Sequence, residues 1–113
     1  IYKNLSKKKN IYGGNFALTT PVSYTSTKSG MLGLMKYIST TCGKYGIRAN
    51  ALSPGGVFDK QEKKFVKNYS NKVPLGRMAN WTDYNGAILF LASDASRYMT
   101  GSNLIIDGGW TAW

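Results

Sequence analysis

The 113-residue chain contains no histidine, one cysteine (Cys42), five acidic residues and three prolines. Without histidine it lacks the commonest metal ligand and the commonest general base near neutral pH. A single cysteine permits neither an intramolecular disulfide nor a cysteine-cluster metal site. No metal centre is therefore expected, and a reducing, cytoplasmic setting fits the thiol usage. The longest unbroken apolar stretch, residues 87–92, is six residues, against the roughly 20 that a membrane-spanning helix needs. No membrane role is expected. The chain opens on Ile1 with neither a methionine nor an apolar leader, and reads as an incomplete piece sized for one domain, not two.

What is abundant is positive charge. The net charge is +10, from 15 Lys and Arg against the five acidic residues. It is placed unevenly: within residues 1–72 only Asp59 and Glu62 oppose the basic residues, whereas Arg77 and Arg97 stand against Asp83, Asp94 and Asp107 thereafter. Lys7-Lys8-Lys9 and Lys60, Lys63, Lys64, Lys67 and Lys72 could neutralise phosphates. A solvated lysine face is the preferred reading, because arginine, the usual base-reading residue, is scarce and the aromatics are not interleaved with the charge. Nucleic acid is not an expected partner.

Residues 1–21, with Gly13-Gly14, Thr19-Thr20 and Pro21, carry little hydrophobic periodicity and read as a long substrate-side loop. From Tyr24 the pattern turns helical: Met31, Leu34, Met35, Ile38 and Cys42 form one stripe, with Gly43 placed to stop it. Residues 47–53 form a strand-like segment ended by Pro54-Gly55-Gly56. The Lys-rich residues 59–71 suggest a surface helix with Phe65, Val66 and Tyr69 as its apolar positions. Asn80 can cap a further helix that has Asp83 at its third position and Ala87, Ile88, Leu91 and Ala92 as its buried stripe. Leu104-Ile105-Ile106, bounded by Asn103 and Asp107-Gly108-Gly109, suits a buried parallel strand.

Helix, strand, helix, helix, strand argues for an α/β layer fold, yet two short strands cannot make a sheet covered on both faces. Half a sheet is missing, and no internal repeat supplies it.

Tyr24 and Lys28 are four residues apart at the start of the long helix, on one face and about one turn from each other. A neighbouring ammonium favours a phenolate over a phenol, which makes such a tyrosine a usable acid or base. Among eight tyrosines and many lysines, one pair at this offset is expected by chance. Its surroundings raise its meaning. Residues 24–30 (YTSTKSG), 44–56 (KYGIRANALSPGG), 74–78 (PLGRM), 90–94 (FLASD), Thr100-Gly101 and 106–110 (IDGGW) resemble, in order and spacing, the C-terminal half of short-chain dehydrogenases/reductases. The loop at 11–14 (IYGG) and the ending at 110–113 (WTAW) look like bacterial members linked to surface-sugar and flagellin-glycan biosynthesis.

The resemblance implies the C-terminal half of a Rossmann-type doubly wound parallel sheet, running from the catalytic helix to the last strand over residues 22–113. It implies NAD or NADP as cofactor, Tyr24 exchanging a proton with the substrate oxygen, and Lys28 assisting it and holding the nicotinamide ribose. Pro54, Gly55 and Gly56 would let the backbone pass close to the nicotinamide, and Val57 would pack near its ring. The expected substrate is a sugar or nucleotide-sugar hydroxyl or ketone, and the full-length protein is expected to be a dimer or tetramer. Asn50 and Asp107 read as a structural hydrogen-bonding residue and a turn former. Trp110 and Trp113 suit either subunit packing or the chain's own core. The chain departs from the family in having no GxGxxG-type phosphate turn, in lacking the upstream serine, and in carrying Phe58 and Asp59 after Val57. Taken alone, these 113 residues are expected to show no turnover. A 3-oxoacyl reductase and a polyol dehydrogenase are the rival enzymes; a non-catalytic remnant or a basic nucleic-acid-binding module is the rival of another class.

Overall fold

The computed structural model describes residues 21–113. The substrate-side loop read at residues 1–21, including Gly13-Gly14, lies outside the described residues except for Pro21. Five elements follow: α1 (Val22–Cys42), β1 (Ala51–Pro54), α2 (Lys63–Ser70), α3 (Asn85–Ala92) and β2 (Asn103–Ile106).

Pro21 opens α1: its extended backbone leaves its carbonyl free to accept the amides of Tyr24 and Thr25. The α-helix stops at Gly43 as expected, but Gly43 stays right-handed. A 3-10 turn, Gly43–Tyr45, follows, and the left-handed residue that ends it is Gly46 (φ +76°), whose amide returns to the Gly43 carbonyl. Ile47 to Asn50 do not belong to the strand, which covers Ala51–Pro54 only. They are tied sideways instead, with the Gly101 amide donating to Ala49 O at 2.7 Å.

β1 and β2 pair in parallel, Leu52 opposite Leu104 and Pro54 opposite Ile106. Parallel neighbours need a long crossover, and residues 55–102 supply it, carrying α2 and α3. Val57 and Ala79 add an isolated parallel bridge beyond the end of β1. Asn80 caps as expected, but what it caps is a 3-10 turn, Trp81–Tyr84, that leads into α3. Its amide donates to Asp83 Oδ2 at 2.7 Å.

The core is small. Met35, Val73, Met78 and Tyr84 are the buried apolar residues among those described. Of the α1 stripe, Met35 is buried while Met31 and Leu34 are 58% and 57% exposed; on α3, Ile88 is 54% exposed. The expected buried stripe of α3 is thus uncovered, and Ile105 is 46% exposed on a strand read as fully buried. The reason is geometric: a two-stranded sheet of four-residue strands is too narrow to cover the apolar faces that these helices and strands present.

Candidate active site

A cleft of about 490 Å³ lies between α1 and the sheet. Tyr24, Lys28, Met31 and Met35 line it from the helix, and residues 50–54, along the whole of β1, with Asn103 and Ile105 of β2, line it from the sheet side. Tyr24 is 50% exposed, in the first turn of α1, and the Lys28 ammonium stands 5.7 Å from the centre of its ring. That is within cation–π range. The helical offset therefore does what the spacing predicts: it brings a phenol and an ammonium together at the mouth of one cleft.

The residues after Pro54 behave differently. Gly55 and Gly56 line a separate cavity of about 230 Å³ together with Tyr69, Arg77, Tyr84 and Asp107. All four of their backbone polar groups are used within the chain. The Gly55 amide donates to Ile106 O at 2.8 Å, and Gly55 O accepts the Tyr84 hydroxyl at 3.4 Å. The Gly56 amide donates to Tyr69 Oη at 2.5 Å, and Gly56 O accepts the Ala79 amide at 2.9 Å. A Cβ at Gly55 would lie 2.8 Å from Asp107 Cα, and one at Gly56 would lie 2.6 Å from the Tyr69 ring. These glycines are demanded by close approaches inside the chain, not by open space left for a ligand. Val57 carries the bridge to Ala79, and its carbonyl accepts the Gln61 carboxamide at 2.9 Å.

Tyr69 and Tyr84 were not singled out as site residues in the sequence. Burial pushes the Tyr69 hydroxyl above its ordinary range, the Gly56 amide partly offsets this, and Asp107 adds to it. Burial likewise raises Tyr84, helped by the proximity of Tyr69, Asp83 and Asp107. Asp107 is the turn former expected: Oδ1 accepts the Gly109 amide and Oδ2 accepts the Thr111 amide and hydroxyl. Burial works to raise its carboxyl, but these hydrogen bonds outweigh it and hold the group below the usual carboxylate range. Arg77 forks onto Asp83 at 2.6 and 3.1 Å. Trp110 stacks on Tyr69 with ring centres 4.6 Å apart, while Trp113 is 68% exposed. One tryptophan therefore closes this chain's own packing and the other does not.

Residues 10–111 match the family model described as Enoyl-(Acyl carrier protein) reductase. The chain belongs to the short-chain dehydrogenase/reductase family. Within it, the chain is 42% identical over 92 residues to an L-rhamnose 1-dehydrogenase (NAD(P)(+)) of Azotobacter vinelandii, covering 76% of this chain and 36% of that protein. It is 37% identical over 98 residues to a ribulose-forming D-arabinitol 2-dehydrogenase of Candida tropicalis, covering 80% of this chain and 35% of the other. The fold matches the crystal structure of a short chain dehydrogenase from Leptospira borgpetersenii with bound NAD+: TM-score 0.79, 47% identity, over 82% of this chain and 37% of that one. The chain thus spans a little over a third of the length of these dehydrogenases. Two parallel strands with their crossover helices are accordingly part of the family's Rossmann-type sheet. No described helix is long and apolar enough to cross a membrane.

Proposed function

We propose that the protein is a nicotinamide-dependent oxidoreductase that interconverts a hydroxyl and a ketone on a sugar or polyol, with Tyr24 and Lys28 as its catalytic pair. The observation that carries this reading is that one cleft, between α1 and β1, is lined by both the Tyr24 phenol and the Lys28 ammonium. Its volume, about 490 Å³, lies in the range of small-molecule sites. A phenol, an ammonium and the exposed Pro54 fit the nicotinamide-ribose end of NAD or NADP. Gly55 and Gly56 fit it only indirectly, since their amides are already engaged; their part is to fix Pro54 and Val57 in place. When bound, the nicotinamide supplies the hydride acceptor or donor.

The chain's own work is on the proton. Oxidising a carbinol removes a proton from its oxygen, and Tyr24 Oη, half-exposed at the cleft mouth, is the group placed to take it. In reduction the same oxygen returns the proton. Lys28, one turn along α1, holds its ammonium 5.7 Å from the centre of the Tyr24 ring, a positive charge near the phenol that favours the proton exchange, and it can donate to a ribose hydroxyl. Met35, buried, and Met31, exposed, give the cleft apolar lining on the helix side.

The sugar or polyol class is supported by the rhamnose and arabinitol dehydrogenases to which the chain is similar. A nucleotide-sugar substrate is the narrower form of this proposal. A homo-oligomeric assembly is proposed as well, supported by Leu34 and Tyr37 on α1 and Leu89 on α3, which are apolar and more than half exposed. Steady-state oxidation of a panel of sugars and polyols with NAD+ or NADP+ by the whole protein, set against reduction of acyl thioesters, tests the proposal. Turnover confined to the sugars and polyols is expected; turnover confined to the thioesters would assign a 3-oxoacyl reductase instead.

A further inference from the structure

We infer that Tyr69 is a positioning residue: from α2 its hydroxyl locks the turn at Pro54, Gly55 and Gly56, and so sets the strand-side wall of the Tyr24–Lys28 cleft. The inference rests on the proposed nicotinamide-dependent reading, in which Pro54 and Val57 contact the cofactor.

Three observations converge on this tyrosine. Its hydroxyl accepts the Gly56 amide at 2.5 Å, a short bond to the backbone of the turn itself. Its ring occupies the space a side chain at position 56 would need, within 2.6 Å of an added Cβ. Residue 56 and residue 69 are therefore an interlocking pair: glycine at one is what lets the aromatic ring sit at the other. The ring is in turn held on both sides, stacked on Trp110 at 4.6 Å and 18° and facing Phe65 one helical turn back at 6.0 Å. An aromatic packed in this way has few rotamers left, so its hydroxyl arrives at Gly56 with little entropy still to lose.

The consequence is a mechanical connection between three parts of the fold. α2 is the lysine-rich segment beside the site, Gly56 lies two residues past the Pro54 that lines the cleft, and Trp110 follows β2. Tyr69 touches all three. The remaining backbone bonds of the turn go to Ile106, Ala79 and Tyr84 and would survive loss of the Tyr69 hydroxyl. Removing that hydroxyl should therefore loosen the turn locally without unfolding the domain.

The test is Tyr69→Phe in the native protein, which keeps the ring and its stack on Trp110, with Tyr69→Leu as the variant that loses both. Three quantities are read: hydrogen exchange of the Gly56 amide without ligand, the melting temperature, and kcat and KM for NAD+ and NADP+. For Tyr69→Phe the expected result is Gly56 exchange faster by about tenfold and a dinucleotide KM raised roughly three- to tenfold. Its kcat should stay close to the parent's, and its melting temperature should fall by only a few degrees, far less than that of Tyr69→Leu, because one part-buried amide loses its acceptor while the ring packing is kept. In the unmutated protein, saturating NAD+ or NADP+ should slow Gly56 exchange, a reading that does not depend on any variant folding. Unchanged Gly56 exchange in Tyr69→Phe, or an unchanged dinucleotide KM, would overturn the inference while leaving the proposed activity standing. An unmutated protein that binds neither dinucleotide would sink the proposed activity and this inference with it.

Discussion

The Asn50 carboxamide donates to the Met99 carbonyl at 2.8 Å, and its oxygen accepts the Ser102 amide at 3.1 Å. Both halves of the side chain are spent on the connection between α3 and β2. Although Asn50 lines the cleft beside Tyr24, it is a structural clamp and not a group free to move protons. Arg48 reinforces the same connection from two residues earlier, donating to Leu91 O at 2.9 Å and Met99 O at 3.1 Å.

Asn50→Ala is expected to lower stability by about 1–3 kcal/mol, because the Ser102 amide loses its acceptor in a partly buried place. Asn50→Asp keeps an acceptor for Ser102 but sets a carboxylate oxygen against Met99 O, and should not restore the loss. Urea denaturation of the three proteins checks this; an Asp variant as stable as the parent would refute the clamp.

Gly108→Ala should be among the costliest single-methyl additions. Gly108 has φ +68°, and a Cβ there would lie 2.6 Å from Val73 Cγ1, on one of the few buried residues of the fold. Backbone strain and overpacking together predict a loss of about 2–4 kcal/mol. Thermal denaturation followed by circular dichroism reads it directly.

Acid should weaken the fold through Asp83 and Asp107. Arg77 and the Asn80 amide hold Asp83 below its ordinary range. For Asp107, burial pushes the other way, but hydrogen bonds from Thr111, Gly109 and Trp110 prevail and lower it too. A carboxyl lowered by folding stabilises the folded chain above its unfolded value, near pH 4, and that contribution fades as pH falls through the folded value. The urea midpoint should thus decline as pH drops from about 5 toward 2. Asp83→Asn should flatten that decline, and because the pair is exposed the effect at neutral pH should be small. A decline of the same steepness in Asp83→Asn would remove Asp83 from the account.

The order of elements was legible because each carries its own local signal: periodicity in α1, a turn tripeptide after β1, an N-cap at Asn80 before α3. The proximity of Tyr24 and Lys28 was legible for the same reason, since an offset of four along one helix brings two side chains together without any tertiary knowledge. What escaped the sequence is tertiary. Gly43 ends α1 as expected, but the chain continues in a tight turn and only Gly46 takes a left-handed conformation. The stripes at Ile88 and Ile105 were read as buried, yet burial depends on neighbouring strands that local periodicity does not reveal. Tyr69 read only as an apolar position of its helix, and Tyr84, in the turn before α3, carried no signal of its own. Their hydroxyls matter because residues 55 and 56, distant in sequence, lie against them. The Phe65–Tyr69 aromatic pair at helical spacing, with Trp110 after the final turn, was the one signal that could have pointed there.

The most direct test of the central claim uses the whole protein to which these 113 residues belong and compares it with its Tyr24→Phe variant. Turnover of a sugar or polyol is followed by formation of the reduced dinucleotide, and NAD+ or NADP+ binding is measured separately. Removal of the proton-exchanging oxygen should cut kcat by roughly 10²- to 10⁴-fold. Melting temperature and dinucleotide affinity should stay near those of the parent, because the Tyr24 side chain is half-exposed and contributes little packing. A Tyr24→Phe variant that turns over as fast as the parent would contradict the assignment.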